Sequence, residues 1–294
     1  MNRKLNSVLE ILLADIFWGF GFVATTWSLL SFSLFQSLYL RFTIIAVVTL
    51  PFIVYQMNKR DFMKYLKIAF LPSLFLIGEI FFQILGLTYT TPSKAGFITT
   101  LFIVIVPILE YLLLKKTISR LHWFWVLLSL IGTYFIVGGE ISKINSGDLI
   151  IFVSAIFASF HIMTIGKISD LNLDFFKLNI FQSFWGCLLT LPLFFFEPVL
   201  EISNIQTKAV IGLMSLTFGT TLLAFYFQMR AQRTISSSTA SLLFLLESPL
   251  AAVFSFYLIG EQMIWLQILG CLIVILSAIG VIFTSETKKN DPVF

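Results

Sequence analysis

Ten stretches of about twenty apolar residues, separated only by short polar connections, decide what this chain can fold into. They cover about 5–30, 34–57, 66–87, 92–114, 121–139, 148–168, 175–196, 208–230, 236–259 and 263–284. A helix crosses the ~30 Å hydrocarbon core of a bilayer in about 20 residues, so each stretch has the length of one transmembrane helix. Barrel strands would instead alternate polar and apolar over about ten residues. One such run could be the buried core helix of a large soluble protein; ten could not. Composition agrees: 58% of the residues are hydrophobic and 12% charged, half the charge of an ordinary soluble domain. That leaves too little polar surface to face water and far too much apolar side chain for disorder. The two cysteines, Cys187 and Cys271, are too few for a disulfide framework. The expected class is all-α integral membrane, with no separate soluble domain. The first stretch is expected to stay as a helix rather than be cleaved, being too long for a signal core and carrying Glu10 and Asp15.

The basic residues orient the chain. With the N-terminus in the cytoplasm, fifteen of the nineteen fall on that side: Arg3, Lys4, Lys59, Arg60, Lys64, Lys67, Lys115, Lys116, Arg120, Lys167, Lys177, Arg230, Arg233, Lys288 and Lys289. Only Lys94, Lys143 and Lys208 fall opposite, and Arg41 lies within a helix. This bias predicts a multi-pass protein of the inner or plasma membrane with both termini cytoplasmic. The net charge of +4 then faces anionic lipid, not nucleic acid.

The two halves resemble each other at an offset of about 140–145 residues. Ile16-Phe17-Trp18-Gly19-Phe20 aligns with Ile156-Phe157-Ala158-Ser159-Phe160, and Arg41 through Thr49-Leu50-Pro51 with Gln182 through Thr190-Leu191-Pro192. Phe82-Gln83, followed by Ser93 and Ala95, aligns with Phe227-Gln228, followed by Ser238 and Ala240. Halves of five helices each, 1–145 and 146–294, must lie inverted with respect to one another. Inverted repeats place a substrate site near the midplane where they meet, an architecture suited to alternating access.

Several motifs, in order and spacing, resemble the EamA branch of the drug/metabolite transporter superfamily over about residues 8 to 284. They are Trp18-Gly19, Arg41-Phe42, Ser93-Lys94-Ala95-Gly96-Phe97-Ile98-Thr99, Gly147-Asp148-Leu149, Glu247-x-Pro249 and Gly260-Glu261. The resemblance implies ten helices in two inverted five-helix repeats around a central cavity, lined mainly by helices 1, 3, 4, 6, 8 and 9. It also implies movement of small polar metabolites, amino acids or drugs, often outward. The sequence departs from a symmetrical pattern at Phe102-x-Val104, which stands opposite Glu247-x-Pro249 while the proline falls at Pro107.

An ionisable side chain near the bilayer centre costs at least ~3 kcal/mol and must pair, face a cavity or reach an interface. Counting 1.5 Å per residue puts Asp15 and Glu247 roughly 15 Å from the cytoplasmic surface, close to the midplane. Asp15, Trp18, Gly19 and Phe22 share a helix face that is expected to line the cavity, with Trp18 as an aromatic wall. Glu247 has a second expected role: Pro249 frees a carbonyl one turn earlier, and the carboxyl sits beside that kink. Arg41, Glu79 and Thr99 all fall about 10 Å below the outer surface, where Arg41 and Glu79 are expected to form an ion pair, gating or structural. Gln83 shares the Glu79 face. His161, at the mirrored depth with Gln182, is either a packing residue or a proton carrier. Glu110 is expected to be structural, meeting Lys115 or water, and Asp148 to favour the start of its helix.

No phosphate-cradling glycine loop, metal-ligand spacing or nucleophile motif appears, so no cofactor, metal or enzyme chemistry is expected. The reading is a secondary transporter, a monomer or homodimer with a small-molecule substrate and lipid as partners. Asp15, Trp18, Glu79, Gln83, Thr99, His161, Tyr226 and Glu247 line its path. The alternative is an integral-membrane enzyme acting on lipid through buried Glu and His.

Overall fold

The computed structural model describes residues 3–90, 92–138, 144–197 and 204–285, with the side chains of 52, 87 and 92–94 left aside. The side chains of Ser93 and Lys94, and residues Lys143, Lys288 and Lys289, lie outside that description.

Among the described residues the regular structure is helical. It runs α1 (Arg3–Ser28), α2 (Leu34–Tyr55), α3 (Lys59–Leu87), α4 (Pro92–Thr99), α5 (Phe102–Leu114), α6 (Arg120–Ile136) and α7 (Ser146–Ile168). It continues with α8 (Phe175–Phe194), α9 (Thr207–Met214), α10 (Phe225–Ala231), α11 (Ser237–Leu243), α12 (Glu247–Leu258) and α13 (Trp265–Thr284). A π-helical segment, Ser215–Ala224, joins α9 to α10, and a 3₁₀ turn, Phe244–Leu246, joins α11 to α12. Helices occupy all ten apolar stretches, and eight are long and apolar enough to cross a membrane by length and composition. The two that fall short are α6, at 17 residues, and α8, whose apolar run is diluted by Asn179, Gln182 and Ser183.

The packing repeats between the halves. α6 lies along α13, and α2 along α8. α1 packs on the rod formed by α9, the π segment and α10; its counterpart is α7 on α3. Likewise α1 on α12 is answered by α7 on α5. At the start of α1, Lys4 donates to the carbonyls of Ile282 and Ser285, so the two ends of the described chain share one end of the bundle.

Helices in lipid gain little by hiding apolar surface from one another; close packing of small residues holds them instead. The exposed Leu127, Leu272 and Phe283 fit that solvent. α6 and α13 cross where Gly132 meets Gly270: a Cβ on Gly270 would lie 2.5 Å from the Gly132 carbonyl oxygen. On α7 the small pair Ala155 and Ser159 is fully buried, as its spacing suggests, while Ala251 and Ser255 on α12 are half-buried.

Two rods are interrupted at matching places. The α4–α5 rod breaks at Thr100 and Leu101, and the α11–α12 rod at Phe244–Leu246, 145 residues later by the repeat offset. The second break lies one turn before Pro249, whose missing N–H cannot continue the α-helical ladder; the Leu245 carbonyl accepts instead from the Glu247 N–H in the 3₁₀ turn. The first has no proline at that spacing. Thr99 and Thr100 instead turn their hydroxyls onto the Ala95 and Phe97 carbonyls, which loosens a helix from within.

Replacing Gly270 with valine should force α6 and α13 apart and cost about 1–3 kcal/mol, as overpacking does. Thermal unfolding of the purified protein should show a clear drop. Gly96→Ala, where a Cβ meets nothing within 4 Å, should leave the midpoint unchanged.

Candidate functional site

The site begins where α1 crosses α12. A Cβ on Gly19 would lie 2.9 Å from Leu250 Cβ, 3.0 Å from the Ala251 nitrogen and 3.2 Å from the Glu247 carbonyl oxygen. Only a glycine lets the two backbones come this close. One turn before Gly19 on the same face is Asp15, wholly buried, and neither of its oxygens accepts a hydrogen bond from the protein. Glu247, the first residue of α12 after the break, is half-buried and bears electrostatically on both Asp15 and Glu79. The structure thus brings together Asp15 and Glu247, which depth alone had placed at one level.

Trp18 is held from three sides. Its indole N–H donates to the Thr220 carbonyl at 3.2 Å, and its ring meets Phe225 at 5.4 Å and Phe244 at 5.3 Å, both edge-on. Phe22, expected on this face, is 54% exposed. At its level the inward contacts of α1 run through Gly19 on α12 and Gly21 on Thr220, which turns Phe22 outward.

Toward the outer level, Gln83 on α3 donates to Thr99 at 3.5 Å, so two sequence candidates meet at the α4–α5 break. Glu79 is half-buried and faces Arg41 electrostatically. The expected direct ion pair is not formed; the carboxyl and guanidinium do not come within 4.0 Å of each other. The Arg41 guanidinium instead lies 5.1 Å over the Phe42 ring, and its Nε makes no hydrogen bond. The backbone of Glu79 is fixed separately, its carbonyl accepting from Ser154 on α7 at 2.8 Å.

Toward the other end, the Gln182 amide nitrogen faces His161 Nε2 at 3.3 Å, and the imidazole packs edge-on against Phe225 at 5.5 Å. Phe225 therefore stands between His161 and Trp18. Tyr226, the next residue, lines a cavity of about 390 Å³ with Asn6, Glu10, Asp174, Arg230 and Arg233. There Arg230 pairs with Glu10 at 2.7 Å, donates to the Tyr226 hydroxyl at 3.3 Å and lies over its ring.

Sequence reasoning missed several polar groups. Asn179 on α8 donates to the Thr221 and Leu222 carbonyls of the π segment. Its only advance signal was an amide within an apolar run. Gln232 donates to the Ile162 carbonyl at 2.9 Å, and Glu10–Arg230 looked like ordinary end charges. Glu110 does not meet Lys115: it reaches the start of α11, accepting from the Ser238 N–H at 3.2 Å and from its hydroxyl. Asp148 caps α7 as expected, bonding back to the Asn145 N–H, and also accepts from Thr90. Among the described residues no cluster of three His, Cys, Asp or Glu could hold a metal ion.

The chain is similar to known proteins over nearly its whole length. The model of the EamA-like transporter family matches it twice, over residues 5–138 and 145–283. An uncharacterized transporter of Archaeoglobus fulgidus is 30% identical over 277 residues, covering 94% of this chain and 86% of the relative. A solved crystal structure 16% identical in sequence superposes with a TM-score of 0.78, covering 93% of this chain and 95% of the other, which establishes likeness of fold.

Asn179→Leu should remove two hydrogen bonds to π-segment carbonyls at a cost of about 1–3 kcal/mol. A lowered unfolding midpoint, with hydrogen exchange faster over Ser215–Ala224 than over α13, is the expected result.

Proposed function

The chain belongs to the EamA-like transporter family, and on that footing we propose that it is a secondary transporter working by alternating access. It is a multi-pass membrane transporter and not an enzyme, which sets aside the lipid-modifying alternative. Its substrates, on this reading, are small polar or amphipathic metabolites such as amino acids or related compounds, carried outward across the plasma membrane with proton coupling. All ten helical rods cross the bilayer, the halves 1–145 and 146–294 lie inverted, and both termini are cytoplasmic. The contact of Lys4 with the end of α13 and the one-sided distribution of Lys and Arg support this orientation.

The observation that carries the reading is the pair of helix interruptions at matching places of the two halves. Irregular backbone at membrane depth is tolerated where it lines a cavity or is buried in protein, and paired breaks mark substrate sites between repeats. Thr99 ends the helix before one break, and Glu247 begins the helix after the other. Asp15, Trp18, Glu79 and Gln83 gather around them. His161 and Tyr226 continue the path toward the cytoplasm, where the cavity around Arg230 is its mouth. Arg41 and Glu79 act at the outer end as a gate whose charges attract without touching.

A thermal-shift screen against a metabolite panel should identify a ligand, and the hit should be transported in proteoliposomes. Trp18→Ala and Glu79→Gln should each cut flux to about a tenth or less while the protein still folds. Collapsing the pH gradient should stop concentrative uptake. Unchanged flux in both variants overturns the site, and indifference to the gradient overturns the coupling.

A further inference from the structure

The polar centre of the bundle is lopsided in charge. Asp15, Glu79 and Glu247 bring three carboxyls into one electrostatic neighbourhood, against the single guanidinium of Arg41. Asp15 and Glu247 stand on the two helices that cross at Gly19, Asp15 one turn before that glycine on α1 and the Glu247 carbonyl oxygen 3.2 Å from where its Cβ would lie. Buried carboxyls elsewhere in the protein are answered by donors: Glu110 by Ser238, Asp148 by Asn145 and Thr90. Asp15 is as buried as either, and no protein group donates to its two oxygens. Charged carboxyls in a low-dielectric interior are favourable only when a positive group lies between them; otherwise they must take up a proton.

The surroundings say what kind of positive group fits. Among the described residues no three ligating side chains come close enough to hold a metal ion, while Asp15 and Glu247 offer acceptors enough for the three N–H donors of an ammonium. One turn from Asp15 stands the aromatic group of Trp18, Phe225 and Phe244, whose faces favour cations and whose bulk takes an apolar body.

We propose that Asp15 and Glu247 form a binding site for an organic ammonium group, with Trp18, Phe225 and Phe244 receiving the apolar part of the same ligand. The substrates are then amines or amine-bearing amphipaths. This deepens the transport reading and rests on it in taking these residues to face the substrate path.

The test uses three probes of one shape: phenethylamine, phenethyl alcohol and phenylacetate, titrated calorimetrically into the purified full-length protein. Phenethylamine should bind about tenfold or more tightly than the alcohol, and phenylacetate least of all. Asp15→Asn and Glu247→Gln should each remove about tenfold of the amine affinity and leave the alcohol's unchanged. Equal affinity for all three probes, or amine binding untouched in both variants, overturns the proposal. The comparison on the unaltered protein decides the matter even if a variant fails to fold. Proteoliposome flux separates the two readings. Carboxyl-dependent amine binding without transport of any solute would uphold the site and overturn the transporter mechanism. Transport of another solute with no preference for the amine would do the reverse.

Discussion

In hydrocarbon, every backbone N–H and C=O must find its partner within the protein, and the architecture follows from that requirement. Regular helices meet it alone. Where a helix in this chain is irregular, identifiable side chains make up the difference. The π segment Ser215–Ala224 gives its Thr221 and Leu222 carbonyls to Asn179 and its Thr220 carbonyl to Trp18. The start of α11, beneath the second break, is met by Glu110. At the first break, Thr99 and Thr100 bond back to their own helix. The interruptions therefore carry polar groups, from a neighbouring rod for the π segment and from the same rod at the first break, and this places Trp18, Asn179 and Thr99 beside them. The irregular backbone and the polar interior are two sides of one arrangement.

The frame repeats between the halves, but the chemistry does not. By the repeat offsets Asp15 stands opposite Ala155, Trp18 opposite Ala158, Glu79 opposite Ala224 and Glu247 opposite Phe102. Arg41 stands opposite Gln182 and His161 opposite Gly21. The packing contacts survive these exchanges because they depend on small residues and helix length. Asp15 and Glu79 in the first half and Glu247 in the second each lack a carboxyl at the matching position, so the polar interior does not follow the repeat.

The helices were legible because a span of lipid is a ruler: a run of about twenty apolar residues has one stable outcome there. The kink before Pro249 was legible for an equally local reason, a missing N–H. Depth was legible too, since 1.5 Å per residue counts levels, and it put Asp15 with Glu247 and Thr99 with Glu79, one turn from Gln83. Direction around each helix was not. Which rods touch is set by close approaches such as Gly19 on α12, hundreds of residues apart in sequence, so the Glu110–Ser238 bond and the Glu10–Arg230 pair gave no local sign. Direction also explains Arg41 and Glu79. They share a level, but the Arg41 guanidinium settles over Phe42, which keeps the two charges from touching. The π segment had no proline or glycine pair to announce it; only the amide of Asn179, needed to close it, was visible in advance.

Glu110 shows what a structural carboxyl looks like in this protein. It is 3% exposed and fully used, holding the start of a helix through an N–H and a hydroxyl. Asp15 is buried to the same degree and holds nothing. A buried acceptor without donors lowers stability, and replacing such a group with an apolar one of similar size is often neutral or stabilising. Asp15 therefore contributes nothing that packing alone needs, and its neighbour across the glycine crossing is a second carboxyl, which raises the cost. The cost is recovered if a positive group occupies the pair for part of the transport cycle and leaves in another, since a permanently bonded carboxyl would hold its partner too firmly to release it. By that argument Asp15 at the α1–α12 crossing, rather than the better-bonded polar groups around it, is the buried group that packing does not account for.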